Sequence, residues 1–196
     1  MPRVFDGIAD KYDRWFDTEP GRLIFHLEVE CLRPFVDSAP RPRLEIGVGT
    51  GRFAQRLGIE HGVEPSANML VRALKRGILV QQGVGEELPY QDESFGTVLM
   101  VVTLCFVDDP AKVLMEAARV LRIDGRLVVG LVPADSRWGT HYAKRAAQGD
   151  PVYSNARFLS VGDVVRLAED AGLWLVGSRS CLFTPVSYTH LRAHET

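Results

Sequence analysis

The stretch Leu44–Phe53, LEIGVGTGRF, sets glycines at positions 47, 49 and 51 directly behind a short apolar run. Glycine enters the left-handed backbone region at no steric cost and puts no side chain between the main chain and a ligand. Alternate glycines after a strand therefore describe a tight loop that can press its backbone against a small molecule. In α/β folds such loops follow the first strand of the sheet.

The rest of the chain continues the alternation that this loop implies. Leu44–Ile46 reads as strand, Phe53–Leu57 as helix, Ile59–Val63 as strand and Ser66–Arg76 as helix capped by Ser66. Ile78–Gln82 and Thr97–Val102 read as the third and fourth strands, Pro110–Leu121 as a helix and Arg126–Val132 as the fifth strand. Apolar runs such as VLMVV and LVVGLV suit strands buried on both faces of a parallel sheet. Pro133–Leu159 interrupts the rhythm with a helix bearing Trp138, His141 and Tyr142. Ser160 and Asp163 then open a helix that Gly172 ends, and Leu173–Ser178 reads as a sixth strand. Upstream, Val4–Val36 carries apolar residues at helical spacing and is expected to form two helices broken near Pro20-Gly21.

Composition narrows the function. With 196 residues, 46% of them hydrophobic, the chain can bury one good core; a net charge of -2 argues against a nucleic-acid surface. Cys31, Cys105 and Cys181 are odd in number and widely spaced, so no disulfide framework or zinc pair is expected and a reducing, cytoplasmic setting fits. No apolar run is long enough to cross a bilayer. His190 and His194 carry no metal assignment, because no second ligand pair accompanies them.

The dinucleotide fingerprint G-x-G-x-x-G fails at its third glycine, where Arg52 stands, and no Gly-Lys-Ser/Thr supplies a P-loop. Glu64, at the end of the second strand, is placed to accept ribose hydroxyls, which points to an adenosine-type ligand without naming it.

The ordered series LEIGVGTGRFAQRL, GVEPSANML, GVGEELPYQDESFGTVLMVVTLCFV and VLMEAARVLRIDGRLVVGLV resembles the motifs of class I S-adenosylmethionine-dependent methyltransferases. The resemblance implies a Rossmann-like, doubly wound, mostly parallel α/β sheet with an N-terminal helical cap over residues 1–37 and a cofactor-binding domain over 43–185. It also implies a site. Gly47, Gly49 and Gly51 would lie against the methionine part of the cofactor with Glu45 beneath, Glu64 would hold the ribose, and Met69 and the turn Val84-Gly85-Glu86 would border the adenine. Val102 and Thr103 would stand beside the reactive methyl. Two departures touch this pattern: Val84 occupies a frequent aspartate position, so adenine recognition would rest on backbone or on Glu86, and Gly96 replaces another frequent aspartate.

Methyl transfer from a sulfonium is a direct displacement, and the protein's task is chiefly alignment and exclusion of water. No catalytic triad is expected. Many relatives carry His-His where Cys105-Phe106 stand, so candidate groups for acceptor contact or proton removal are His141, Tyr142 and Tyr12. The expected partner is a small-molecule methyl acceptor. Two other readings stay open, an NAD(P)-dependent oxidoreductase and a cofactor-binding module without turnover.

The last eleven residues, VSYTHLRAHET, resemble translated sequencing adapter. That implies a non-native tail over 186–196, a natural chain continuing past about Pro185, and a missing final antiparallel strand.

Overall fold

In the computed structural model, residues 4–183 are described; the 186–196 tail, with His190 and His194, lies outside them. The elements are α1 (Val4–Trp15), α2 (Gly21–Val36), β1 (Arg43–Ile46), α3 (Arg52–Leu57), β2 (His61–Glu64), α4 (Ala67–Lys75) and β3 (Leu79–Gln82). They continue with β4 (Phe95–Val101), α5 (Pro110–Val120), β5 (Leu121–Gly130), α6 (Arg137–Ala147), a 3-10 turn at Tyr153–Asn155, and α7 (Val161–Asp170).

The strands form one parallel sheet in the order β3-β2-β1-β4-β5. The chain runs outward from β1 to β2 and β3, then crosses back to place β4 on the other side of β1. Loops leaving β1 and β4 therefore diverge and open a crevice at the carboxyl edge. Side chains alternate between two apolar layers. Leu44, Ile46, Val98 and Met100 join Val113, Leu114 and Ala117 of α5 and Val164 of α7, while Leu99 and Val128 join Val29, Leu32 and Val36 of α2 and Ala54 of α3. Each fully buried Leu or Met in these layers contributes roughly 1.5–3 kcal/mol.

Local signals set the helix starts. The hydroxyl of Ser66 accepts from the Met69 amide, Asp109 accepts from Lys112 ahead of Pro110, and Ser160 and Asp163 form a reciprocal capping box. Ser136 likewise caps α6.

Two sequence expectations are corrected. The fifth strand begins at Leu121 instead of Arg126, and its pairing jumps from Phe95↔Leu121 to Thr97↔Arg126, so residues 122–125 bulge outward with Ile123 fully exposed. The sixth strand is not formed. Residues 173–178 pair with no strand, and Trp174, Leu175 and Val176 are exposed. The β-pattern of LWLVGS expresses a surface that fits a ladder, but a strand exists only through a neighbour's N–H and C=O groups, and among the described residues none lies beside it.

Candidate functional site

The crevice is built from the loop that ends β1. Gly47, Gly49 and Gly51 all adopt positive φ, and the amides of Gly47 and Val48 both donate to the Val63 carbonyl, at 2.9 and 3.1 Å, tying the loop to β2. At Gly47 a β-carbon would sit 2.6 Å from Thr103 Cγ2, whereas at Gly49 it would meet nothing within 4 Å. One glycine is thus required by packing, and the other faces open space.

Glu64 is 3% exposed, and both of its oxygens are engaged: Oε2 accepts from the Gly49 amide at 3.0 Å and Oε1 from the Ser66 amide at 2.9 Å. Burial raises its carboxyl above the usual range, and those two amides pull it back. Glu45 is 2% exposed and more severely isolated. Burial lifts its carboxyl well above the usual range, and its Oε2 has no hydrogen-bond partner. An unsatisfied buried acceptor costs about 1–3 kcal/mol, which a ligand's N–H donor would recover.

On the far side the crevice is lined by Ile46, Val63, Pro65, Gly83, Val84, Gly85, Glu86 and Thr103. The structure therefore brings Gly47, Val84, Gly85, Glu86 and Thr103 to one wall. Glu86 also turns an oxygen to the Asp108 and Asp109 amides, at 2.9 and 3.3 Å, ahead of α5. Met69 is buried in α4 and is not among the lining residues. Val102 follows β4 with φ of 53°, an unusual conformation for a β-branched residue, and it lines a second, apolar crevice with Leu104, Cys105, Leu131 and Leu159. Burial pushes the Cys105 thiol up to about 12, so it is no nucleophile at neutral pH.

Helix α1 lies across α4 with Asp6, Asp10 and Asp13 on it and Asp17 in the turn that follows. Asp6 accepts from the Ser66 hydroxyl at 2.6 Å, Asp10 pairs with Arg72, and Asp13 binds Arg76 at 2.9 Å and Arg52 at 2.8 Å. Arg52 also holds Asp17 through two bonds of 2.8 and 2.7 Å, and these arginines keep the Asp13 carboxyl down near 2 against the cost of its burial. Sequence reasoning did not assign this clasp. Its signal was the spacing of the four aspartates at i, i+4, i+7 and i+11.

Tyr12, on the same helix, has its hydroxyl driven up by burial and by Glu28, Glu45 and Glu64. In the insertion after β5, Tyr142 stacks on Tyr153 with ring centroids 4.2 Å apart and on Phe158 at 5.9 Å, while His141 is exposed. Glu28 of α2 was also missed by sequence reasoning: burial lifts its carboxyl to about 7, and it acts on Tyr12 and Tyr142 from α2. A lone glutamate on an amphipathic helix carries no local signal of such a position.

Comparison with known proteins agrees with this architecture. A family model described as a methyltransferase domain matches residues 44–129. An uncharacterized protein of Mycobacterium tuberculosis is 45% identical over 177 residues, 90% of this chain and 62% of its own length. The chain thus spans less than two thirds of that mycobacterial relative. An uncharacterized protein of Methanocaldococcus jannaschii is 38% identical over 93% of this chain and 87% of its own. The crystal structure of an S-adenosylmethionine-dependent methyltransferase from Thermotoga maritima superposes with a TM-score of 0.80 at 42% identity, covering 88% of this chain and 81% of that one. With a β1/β4 crevice, a glycine loop and a buried strand-end carboxylate on the same frame, the chain belongs to the S-adenosylmethionine-dependent methyltransferases.

Proposed function

We propose that this chain binds S-adenosylmethionine in the β1/β4 crevice and directs its methyl group to a small-molecule acceptor in a cytoplasmic setting. The observation that carries this reading is the pair of buried carboxylates, Glu45 on β1 and Glu64 at the end of β2 against the Gly49 amide, the former with an oxygen that lacks any donor. These residues fit the cofactor's chemistry. A carboxylate offers about four acceptor positions. Glu64 uses two on the Gly49 and Ser66 amides and keeps capacity for two ribose hydroxyls.

In this assignment Glu45, Gly47, Gly49 and Gly51 hold the methionine part, Glu64 the ribose, and Val84, Gly85 and Glu86 the adenine edge, with Met69 packed behind them. Val102 and Thr103 border the reacting centre. When bound, S-adenosylmethionine supplies a methyl group already activated on a sulfonium, so the chain's residues need only orient the partners and keep water out. The position of α1, fastened to α4 above Glu64, suits the second task. The Thermotoga maritima relative is described as a possible histamine N-methyltransferase, which supports a small-molecule acceptor here.

Calorimetric titration with S-adenosylmethionine, S-adenosylhomocysteine and NAD tests this reading. Binding of the first two and not the third is expected; preference for NAD would overturn it.

A further inference from the structure

The glycine loop is held from outside at two neighbouring points. Thr50 stands between Gly49 and Gly51, where the backbone has little preference of its own, so contacts from other elements decide the loop's shape. One contact is the Glu64 carboxylate on the Gly49 amide at 3.0 Å. The other is Arg76, the C-terminal cap of α4, whose Nη1 donates to the Thr50 carbonyl at 2.8 Å. A peptide unit is planar, so fixing the Thr50 carbonyl also fixes the direction of the Gly51 amide that follows it.

Each of these two holders is also fastened to α1. Ser66 links the first: its amide donates to Glu64 Oε1 at 2.9 Å and its hydroxyl to Asp6 at 2.6 Å. Arg76 is itself the second link, because its Nη2 donates to both oxygens of Asp13, at 3.0 and 2.9 Å. Asp13 in turn accepts from Arg52 Nε at 2.8 Å, and Arg52 is the first residue of α3, directly after the loop. The side chains of Arg76 and Asp13 are 19% and 20% exposed, so the pair is shielded from much of the solvent that weakens surface ion pairs. One guanidinium thus joins α1 to the loop backbone.

We propose that Arg76 is a positioning residue for the cofactor: by holding Asp13 of α1 and the Thr50 carbonyl together, it gives the glycine loop its binding shape only when α1 is docked, so that helix and loop close on the ligand as one unit. This rests on the methyl-transfer reading above, in which the loop carries the methionine part of S-adenosylmethionine. The requirement is a planar, forked cation. Arginine points separate N–H groups at a carboxylate and at a carbonyl in a fixed relation, whereas a lysine ammonium is a point charge on a flexible stem and fixes no such relation. Ligand and helix are then coupled in both directions: docking of α1 tightens the ligand, and the ligand docks α1 by the same factor.

Calorimetric titration with S-adenosylhomocysteine, together with hydrogen exchange of α1, tests the inference. In wild type, saturating S-adenosylhomocysteine is expected to slow exchange in α1 and in the loop at 47–51 together, by about tenfold. Arg76→Lys, which keeps the charge beside Asp13, is expected to weaken S-adenosylhomocysteine binding about tenfold, as for loss of a hydrogen bond from a charged group, and to remove the ligand's effect on α1. Asp13→Asn is expected to weaken binding by a similar factor, and the double variant by no more than either single one, since both cut the same link. Failure of wild type to bind S-adenosylhomocysteine would overturn the methyl-transfer reading itself. Binding in wild type with α1 exchange unchanged would overturn this inference alone. So would an affinity within about twofold of wild type in Arg76→Lys, ligand protection of α1 retained in that variant, or losses that add in the double variant. The exchange response is read on wild type and needs no variant to fold.

Discussion

Arg52 grips Asp17 through both terminal guanidinium nitrogens, at 2.8 and 2.7 Å, while its Nε binds Asp13 at 2.8 Å. The residue that breaks the dinucleotide fingerprint is thus the anchor of the N-terminal helix. A glycine in its place would leave α1 without that hold.

Asp13 gives this clasp a pH signature. Its carboxyl is held near 2 in the fold against an ordinary value of 3.8, so the folded state binds its proton less readily than the unfolded chain does. Its stabilisation is complete above about 4 and lost as the pH falls towards 2. Asp13→Asn is expected to lower stability by about 1–2 kcal/mol at pH 7 and by almost nothing near pH 2. Thermal unfolding across that window checks it; a gap independent of pH would show that the arginines do not hold the charge.

Glu64→Gln sets an amide NH2 group against one of two backbone donors, Gly49 N–H or Ser66 N–H. A stability loss of about 1–3 kcal/mol is expected. Because the loop and the ribose acceptor are disturbed together, S-adenosylhomocysteine should raise the melting temperature of wild type and leave that of the variant unmoved. An equal rise in both would remove Glu64 from the site.

Val102 holds φ of 53° with a branched side chain at the end of β4. That conformation costs on the order of 1–3 kcal/mol for a residue other than glycine. Val102→Gly is expected to raise the urea midpoint, by about 1 kcal/mol of stability after loss of side-chain packing, and to reduce kcat for methyl transfer. A lower midpoint would mean that packing outweighs the strain.

Cys105 donates to the Val102 carbonyl at 3.5 Å, and its thiol is pushed up to about 12. Cys105→Ala is expected to leave methyl transfer within about threefold of wild type and to cost about 1 kcal/mol of stability, as for a small buried residue. Loss of turnover with cofactor binding intact would make the thiol a participant.

Much of the frame is legible in local sequence because its causes are local. The strand-helix alternation, the caps at Ser66, Asp109 and Ser160, and Glu64 at the end of a strand all follow from residues within a few positions of one another. The strand expected at 173–178 shows the limit. Its apolar pattern is genuine, but a ladder needs a second strand, which no local pattern supplies.

The sequence by itself determined the glycine loop, the parallel α/β order and the chemical type of ligand that approaches the loop, because turn geometry and periodicity depend on near neighbours. Tertiary structure alone decided that Arg52 meets Asp13 and Asp17, that Glu45 keeps an oxygen without a donor, and that Tyr142 stacks on Tyr153. Those facts depend on burial and on charges brought together from distant parts of the chain. Desolvation and long-range pairing arise only once the layers have closed.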